Sequence, residues 1–413
     1  MKNTKLVGHH VGGRNATVSF LPPSYFQCDF VNVLYDADAE CVEQILEKTA
    51  DEPYEVKAFP YCLGAESKLA TFNINYCSYT SSMYELNERF GGFYDFTLPL
   101  DYMYSDTMRT MERVPVEIVS LDSVLQNDTQ VPAPDFLSLD VEGMEDEVLE
   151  GAANTLAQSV LGVVTEITFL ELRKGQALFE QLRPLLDQSG FDFVRFTHLF
   201  DYSPHRGPVG ARGEGYQLNG DALFIRRLDS LPEMTSDLNE QYILATKLAF
   251  IAVHWGLLEY AMAVMVFRQS LAVPEEVKNG IDDTAYGQFL TGLEQAIATL
   301  PKNFPPLFSE VMDYQASRSR SQSQEVNIHV GWKYDLKEWL LRRPGILNLL
   351  RRVRYAGWST KAKLADAFKV GISIFMPRYT KVERHLISHG FEDLARLVRS
   401  RRLVETPHIS RSS

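Results

Sequence analysis

The stretch from Pro134 to Ala152 carries two periodicities joined by an acidic turn, and it constrains the fold more than any other part of the chain. Phe136 to Val141 is a short apolar run behind two prolines, Pro132 and Pro134, which suits a buried parallel strand. Met144, Val148, Leu149, Ala152 and Leu156 then recur at helical spacing. The segment reads as strand, turn, helix. On a pleated strand Asp140 and Glu142 point to one face, and Gly143 lets the backbone turn sharply after them. Ligands of open α/β sheets bind beyond the carboxyl ends of the strands, so carboxylates placed there are candidates for chemistry. Glu145 and Asp146 read as partners of the helix dipole.

Upstream, Leu6 to Val11 reads as a first strand entering a glycine-rich turn, with Gly8, Gly12 and Gly13 allowing close backbone approach to a cofactor. His9 and His10 are neighbours on a strand and so point opposite ways, which argues against a shared metal. A second strand, Phe30 to Tyr35, ends in Asp36 about 20 positions beyond the turn, the usual place for a carboxylate that accepts from ribose hydroxyls. Asp38 reads as the cap of the helix that follows. Leu161 to Phe169 is a further strand and carries a third acid, Glu166.

These segments resemble, in order, the FkbM family of S-adenosylmethionine-dependent O-methyltransferases. The central motif around Asp140 carries the likeness, together with Val119 to Leu125, similar to the family's "tLDsl" element, Val163 to Ile167, and Gly220 to Ile225 as a closing strand. The resemblance spans about residues 5 to 227. It implies an α/β fold with a Rossmann-like seven-stranded methyltransferase sheet, a cofactor held by Gly8, Gly12, Gly13, Asp36 and Asp122, and chemistry at Asp140, with Glu142 and Glu166 as supporting acids. It implies S-adenosylmethionine as cofactor, leaves room for a divalent metal shared by the acids, and makes the acceptor a small molecule or glycan. Tyr79 to Met83 resembles the family's substrate loop, and residues 84–113 read as a lid or as local core. Leu6 stands where the family usually has Asp, and His9–His10 replace small residues. That departure keeps a second reading open, a catalytically degenerate scaffold with the same fold. A nicotinamide-dependent oxidoreductase fits the glycine turn and Asp36 but leaves Asp140 and Glu142 unexplained.

Beyond Arg227 the alternation of strands and helices stops. Residues 1–228 are expected to form the methyltransferase domain, 229–316 a helical domain, 317–330 a Ser/Arg/Gln linker and 331–413 a basic helical segment, so that a mainly α-helical region closes the chain. Tyr242 to Phe267 is strongly apolar but carries Lys247, His254 and Glu259 and is broken by Gly256, and so reads as two packed helices. The last 83 residues hold 18 Lys and Arg against 7 Asp and Glu, a surplus of +11 that leaves -24 on the rest of a chain whose net charge is -13. An acidic front argues against nucleic acid as its substrate, while the basic tail suits this chain's own acidic portion better than a membrane surface. Cys28, Cys41, Cys62 and Cys77 form no C-x-x-C pair and read as buried free thiols. Without an apolar leader after Met1, the expected location is cytoplasmic.

Overall fold

The computed structural model describes residues 4–12, 20–94, 103–205, 215–299 and 381–400. The chain divides into two compact units, residues 1–291 and 292–413. The first is built on β1 (Leu6–Val11), β2 (Phe30–Tyr35), α1 (Ala39–Lys48), β3 (Glu55–Phe59), β4 (Cys62–Leu63), β5 (Lys68–Asn75), α2 (Tyr104–Thr107) and β6 (Thr110–Val119). There follow α3 (Leu121–Asn127), β7 (Phe136–Leu139), α4 (Glu145–Glu150), α5 (Ala153–Gln158), β8 (Gly162–Thr168), α6 (Phe179–Gln188), β9 (Phe191–Tyr202) and β10 (Tyr216–Arg226).

Seven strands make one sheet in the order β3-β2-β1-β7-β8-β10-β9. All neighbours are parallel except β10, which runs antiparallel to both β8 and β9. This is the Rossmann-like methyltransferase sheet expected from the sequence. The chain moves outward from β1 and then returns to its other side as β7, so the crevice between the carboxyl ends of β1 and β7 is a topological switch point.

Two short strands after α1 go to different sheets. Glu55–Phe59 joins the main sheet as β3, whereas Cys62–Leu63 turns away as β4 into a small sheet of order β4-β6-β5. The helix after the acidic turn splits, at Gly151, whose carbonyl accepts from Asp122 N at 3.0 Å instead of continuing one helical ladder.

Alternation along the strands sorts the sheet into two faces. Val7, Val33, Leu137, Leu139, Val163 and Ile167 pack in one core with Val148, Leu156 and Leu182 of the covering helices. The other face is covered by the segment beyond β10. This comprises α7 (Leu231–Met234), α8 (Leu238–His254), α9 (Leu258–Ser270) and α10 (Glu275–Asp282), with α11 (Ala285–Ile297) crossing the division between the units. Helix α8 is buried all round from Leu244 through Val253, where every residue but Thr246 and Lys247 is apolar. Phe26 meets Phe250 at 4.8 Å, and Phe136 stacks on Trp255 at 5.8 Å. Helices α8 and α9 are the packed pair expected from Gly256. No helix among the described residues is long and apolar enough to cross a membrane.

In the second unit, α12 (Lys381–Ser388) and α13 (Glu392–Ser400) form a helical hairpin with Val382, Leu386 and Phe391 buried. The linker, and the tail as far as residue 380, lie outside the described residues.

Candidate active site

Four segments converge beyond the carboxyl ends of β1, β2 and β7. They are the turn after β1, Asp36 to Asp38, the Cys77 to Met83 loop, and the acidic turn after β7, and they enclose a cavity of about 750 Å³. That size is within the range of small-molecule sites, about 300–1,000 Å³.

Gly12 has φ +100°, and a Cβ built on it would lie 1.9 Å from the Asp140 carbonyl oxygen. Asp140 N donates to Val11 O at 3.0 Å, and Gly12 N to Tyr35 O at 3.3 Å. The ends of β1, β2 and β7 are thus stapled by main chain alone. Asp36 lines the cavity. Its Oδ1 accepts from Asp38 N at 2.9 Å, and Asp38 caps α1 by accepting from Glu40 N at 3.0 Å.

Asp140 and Glu142 both line the cavity, but not as neighbours on one strand face. Strand β7 stops at Leu139, and Glu142 and Gly143 take left-handed conformations, with φ 56° and 114°. The strand's alternation therefore ends before either acid. Asp140 is open to cavity water yet enclosed by protein on its remaining sides. That burial, reinforced by Glu142 and Asp221, pushes its carboxyl up to about 7. Glu142 turns instead onto Arg173, whose guanidinium contacts its Oε2 and also donates to Thr80 O at 2.9 Å. Ser82 Oγ holds the Glu142 carbonyl at 2.7 Å.

Glu145 does more than answer a helix dipole. Its Oε1 accepts from Val141 N at 3.1 Å and Gly143 N at 3.2 Å, tying the acidic turn from inside. Its own burial pushes the carboxyl up to about 7 against the pull of those amides. Glu166 does not line the cavity; it stands behind Asp140 on β8, accepts from Asn219 Nδ2 at 3.0 Å, and is raised well above the carboxylate range by burial and then by Glu142 and Asp140.

Two residues expected at the cofactor are elsewhere. Both carboxylate oxygens of Asp122 are taken by the start of α5, from Asn154 N at 2.9 Å, Thr155 N at 2.8 Å and Thr155 Oγ1 at 2.6 Å, so Asp122 caps that helix. Gly8 sits inside β1 against the Phe30 ring, away from the cavity. Gly13 lies outside the described residues. The histidines of β1 are buried, which pushes His9 down to about 3 and His10 to about 4. His9 contacts Pro132 O at 2.8 Å and Tyr35 Oη at 3.1 Å; His10 contacts Ser138 Oγ at 3.0 Å. No group of three or more His, Cys, Asp or Glu among the described residues is arranged to hold a metal ion, so the divalent metal considered for Asp140, Glu142 and Glu166 has no ligand set here. All four cysteines are free thiols; Cys41 is buried as expected, but Cys28 is exposed, and Cys62 and Cys77 line the cavity.

Sequence reasoning missed Arg173 and Tyr104. Arg173 is only 3% exposed although its neighbours Glu171, Lys174 and Gly175 face solvent; nothing in that polar run marks it as the one turned inward. Among the described residues of the aromatic segment 84–113, Tyr94 and Met108 pack against Leu172 and Leu218, whereas Tyr104 reaches the cavity.

Residues 10–193 match the family model described as the Methyltransferase FkbM domain. Among solved structures the chain is similar to the magnesium protoporphyrin IX methyltransferase from Synechocystis PCC 6803 with bound SAM, at 9% identity over 54% of this chain and 71% of that one, with a TM-score of 0.28. It is also similar to the methyltransferase FkbM from Methylobacillus flagellatus KT, at 10% identity over 54% of this chain and 44% of that one, with a TM-score of 0.27. No curated protein matches it. The motif around Asp140 lies within the match over residues 10–193, so it is this part of the chain that is similar to the FkbM methyltransferase domain.

Proposed function

We propose that the domain transfers a methyl group from S-adenosylmethionine to a hydroxyl of a sugar or other small metabolite, with Asp140 accepting the hydroxyl proton. The observation that carries this reading is Asp140 itself, a water-accessible carboxylate at the switch point whose carboxyl is pushed up to about 7, the range a general base needs near neutral pH.

The residues present fit the cofactor. Gly12 keeps the wall of the cavity free of side chain where the main chains of β1 and β7 meet, and Asp36 stands at the end of β2 with a carboxylate for ribose hydroxyls. When bound, S-adenosylmethionine supplies a methyl carbon on a sulfonium, whose sulfur keeps the bonding pair as the new carbon–oxygen bond forms. Asp140 takes the proton that the hydroxyl loses. Arg173, Ser82 and Glu145 hold the turn that carries Asp140 and Glu142, so that base and acceptor meet in a fixed geometry.

Calorimetry with S-adenosylmethionine, its demethylated product and nicotinamide cofactors tests the reading on the full chain. The expected result is heat from the first two alone, weakened at least tenfold in Asp36→Ala. No heat from either at millimolar concentration would favour the degenerate scaffold.

A further inference from the structure

The small sheet turns one face to the cavity, and the methyl transfer just described leaves that face without a task. Phe72 on β5 lies opposite Val114 on β6, so the two share a side of the sheet. Ile74 and Val116 stand two residues along from them and therefore on the same side. All four line the cavity, and all four are only half-buried. Apolar side chains that the protein leaves partly uncovered inside a cavity form a seat for the apolar surface of a ligand.

This wall is joined to the acidic turn. Asn73, between Phe72 and Ile74, donates its N–H to Ser82 O at 2.9 Å and accepts from Ser82 N at 3.1 Å, and Ser82 Oγ holds the Glu142 carbonyl at 2.7 Å. The hydroxyls along the junction face main chain. Thr80 Oγ1 is set between Cys77 O and Thr107 O, 2.9 Å from each, and Ser81 Oγ accepts from Asn75 N at 3.1 Å. A sugar asks for polar partners all round its ring, and on this wall it would set hydroxyls against hydrocarbon. Tyr79 and Tyr104 line the same cavity and offer flat rings for stacking. The charged side chains that line it are Asp36, Asp38, Asp140 and Glu142; among the described residues no Lys, Arg or His does. An anionic acceptor would meet like charge.

We propose that the acceptor is an uncharged phenol with a flat apolar ring system, seated on the wall of Phe72, Ile74, Val114 and Val116 with its hydroxyl toward Asp140. The inference rests on the methyl-transfer reading and narrows its acceptor. The aryl oxygen takes the methyl carbon while the sulfur keeps the pair of the bond that breaks, and Asp140 takes the aryl proton. The acidity of the hydroxyl agrees. A phenol loses its proton at about pH 10, whereas an aliphatic hydroxyl lies near water, at about 15.7. With its carboxyl pushed up to about 7, Asp140 takes the first proton against an adverse factor of about a thousand and the second against one of about a billion.

The test is titration of the full chain with naphthol, hydroxynaphthoate and methyl glucoside, each with and without S-adenosylhomocysteine. Methyl transfer from S-adenosylmethionine is then read by mass spectrometry, with decahydronaphthol added as the same skeleton carrying an aliphatic hydroxyl. Naphthol is expected to bind about tenfold more tightly than the anion or the glucoside, and to be methylated at least about tenfold faster than decahydronaphthol. Phe72→Ala and Val116→Ala should each weaken naphthol about fivefold and leave the affinity for S-adenosylhomocysteine as in the wild type, with thermal unfolding to confirm that both are folded. Equal affinity for naphthol and methyl glucoside, a naphthol affinity unchanged in both wall variants, or naphthol bound beside S-adenosylmethionine without methylation overturns the proposal. A failure of S-adenosylhomocysteine to bind is a separate result. It overturns the methyl-transfer reading, while the ligand preference measured without cofactor still decides whether the wall seats a phenol.

Discussion

The main chain of Gly12 passes so close to Asp140 that a Cβ on the one would lie 1.9 Å from the carbonyl oxygen of the other. The turn after β1, which holds the cofactor in our reading, and the turn after β7, which holds the base, are therefore one structural object. In Gly12→Ala the added carbon must push the Asp140 backbone aside, and a φ of +100° is itself strained for alanine. The expected loss is at least tenfold in affinity for S-adenosylhomocysteine by calorimetry, with about 1–3 kcal/mol of stability by urea unfolding. Wild-type affinity in this variant would mean that the cofactor does not use the turn.

Asp140→Asn is expected to abolish methyl transfer while leaving the fold intact, since the amide is nearly isosteric but cannot take the proton. In the wild type, turnover should rise with pH through about 7 as Asp140 ionises. Stability should move the other way. A carboxyl whose pKa is higher folded than unfolded contributes fully below its unfolded value, and that contribution is lost as pH rises through the folded value. Asp140 and Glu145, both raised to about 7, thus lower the thermal midpoint between about pH 4 and pH 7. The Asn variant should show a shallower fall and exceed the wild type at pH 8. Parallel stability profiles would mean that Asp140 titrates as an ordinary surface acid.

Arg173 links the acidic turn to the Cys77 to Met83 loop, touching Glu142 on one side and Thr80 O on the other while only 3% exposed. Removing it leaves Glu142 in a left-handed conformation with its charge unanswered. Arg173→Ala should cost about 3 kcal/mol, near the low end for breaking a buried pair because the Glu142 side chain is 26% exposed. Arg173→Lys should recover part of the stability but not the contact to Thr80, because an ammonium is a point donor rather than a fork. Urea unfolding and limited proteolysis of that loop in the two variants measure this.

The sheet was legible because its strands are short apolar runs with clear stops, and the position of Gly12, Asp36 and Asp140 at the cavity follows from where such strands end. What failed was extrapolation past those ends. The face shared by Asp140 and Glu142 assumed a strand running two residues beyond Leu139, and backbone dihedrals in a turn are set by contacts such as Glu145 on Val141 and Gly143. Asp122 was misread because a helix cap and a ligand carboxylate look the same in one dimension; only the fold shows that α5 begins beside it. Arg173 could not be found locally, since its partners lie 31 and 93 residues away.

Lys247 and Asp135 form a buried pair between α8 and the start of β7, with Nζ 2.8 and 3.0 Å from the two carboxylate oxygens and both side chains 6% exposed. Asp135 also accepts from Val7 N at 2.8 Å, so one carboxylate ties β1, β7 and the covering helix together. Its pKa is raised because burial outweighs the pull of Lys247. Lys247→Met removes that pull and should cost about 3–5 kcal/mol, the usual result of stranding a buried charge. The loss should grow as pH rises, because the stranded carboxyl titrates higher in the folded chain than in the unfolded one. In Lys247→Met with Asp135→Asn the charge is gone, while the amide oxygen still accepts from Val7 N, so most of the stability should return. Asp140 lies five residues beyond Asp135, at the other end of β7. If α8 acts on the site only by fixing that strand, the double variant should bind S-adenosylhomocysteine like the wild type. A double variant as unstable as the single one would show that the ion pair contributes something neutral packing cannot supply.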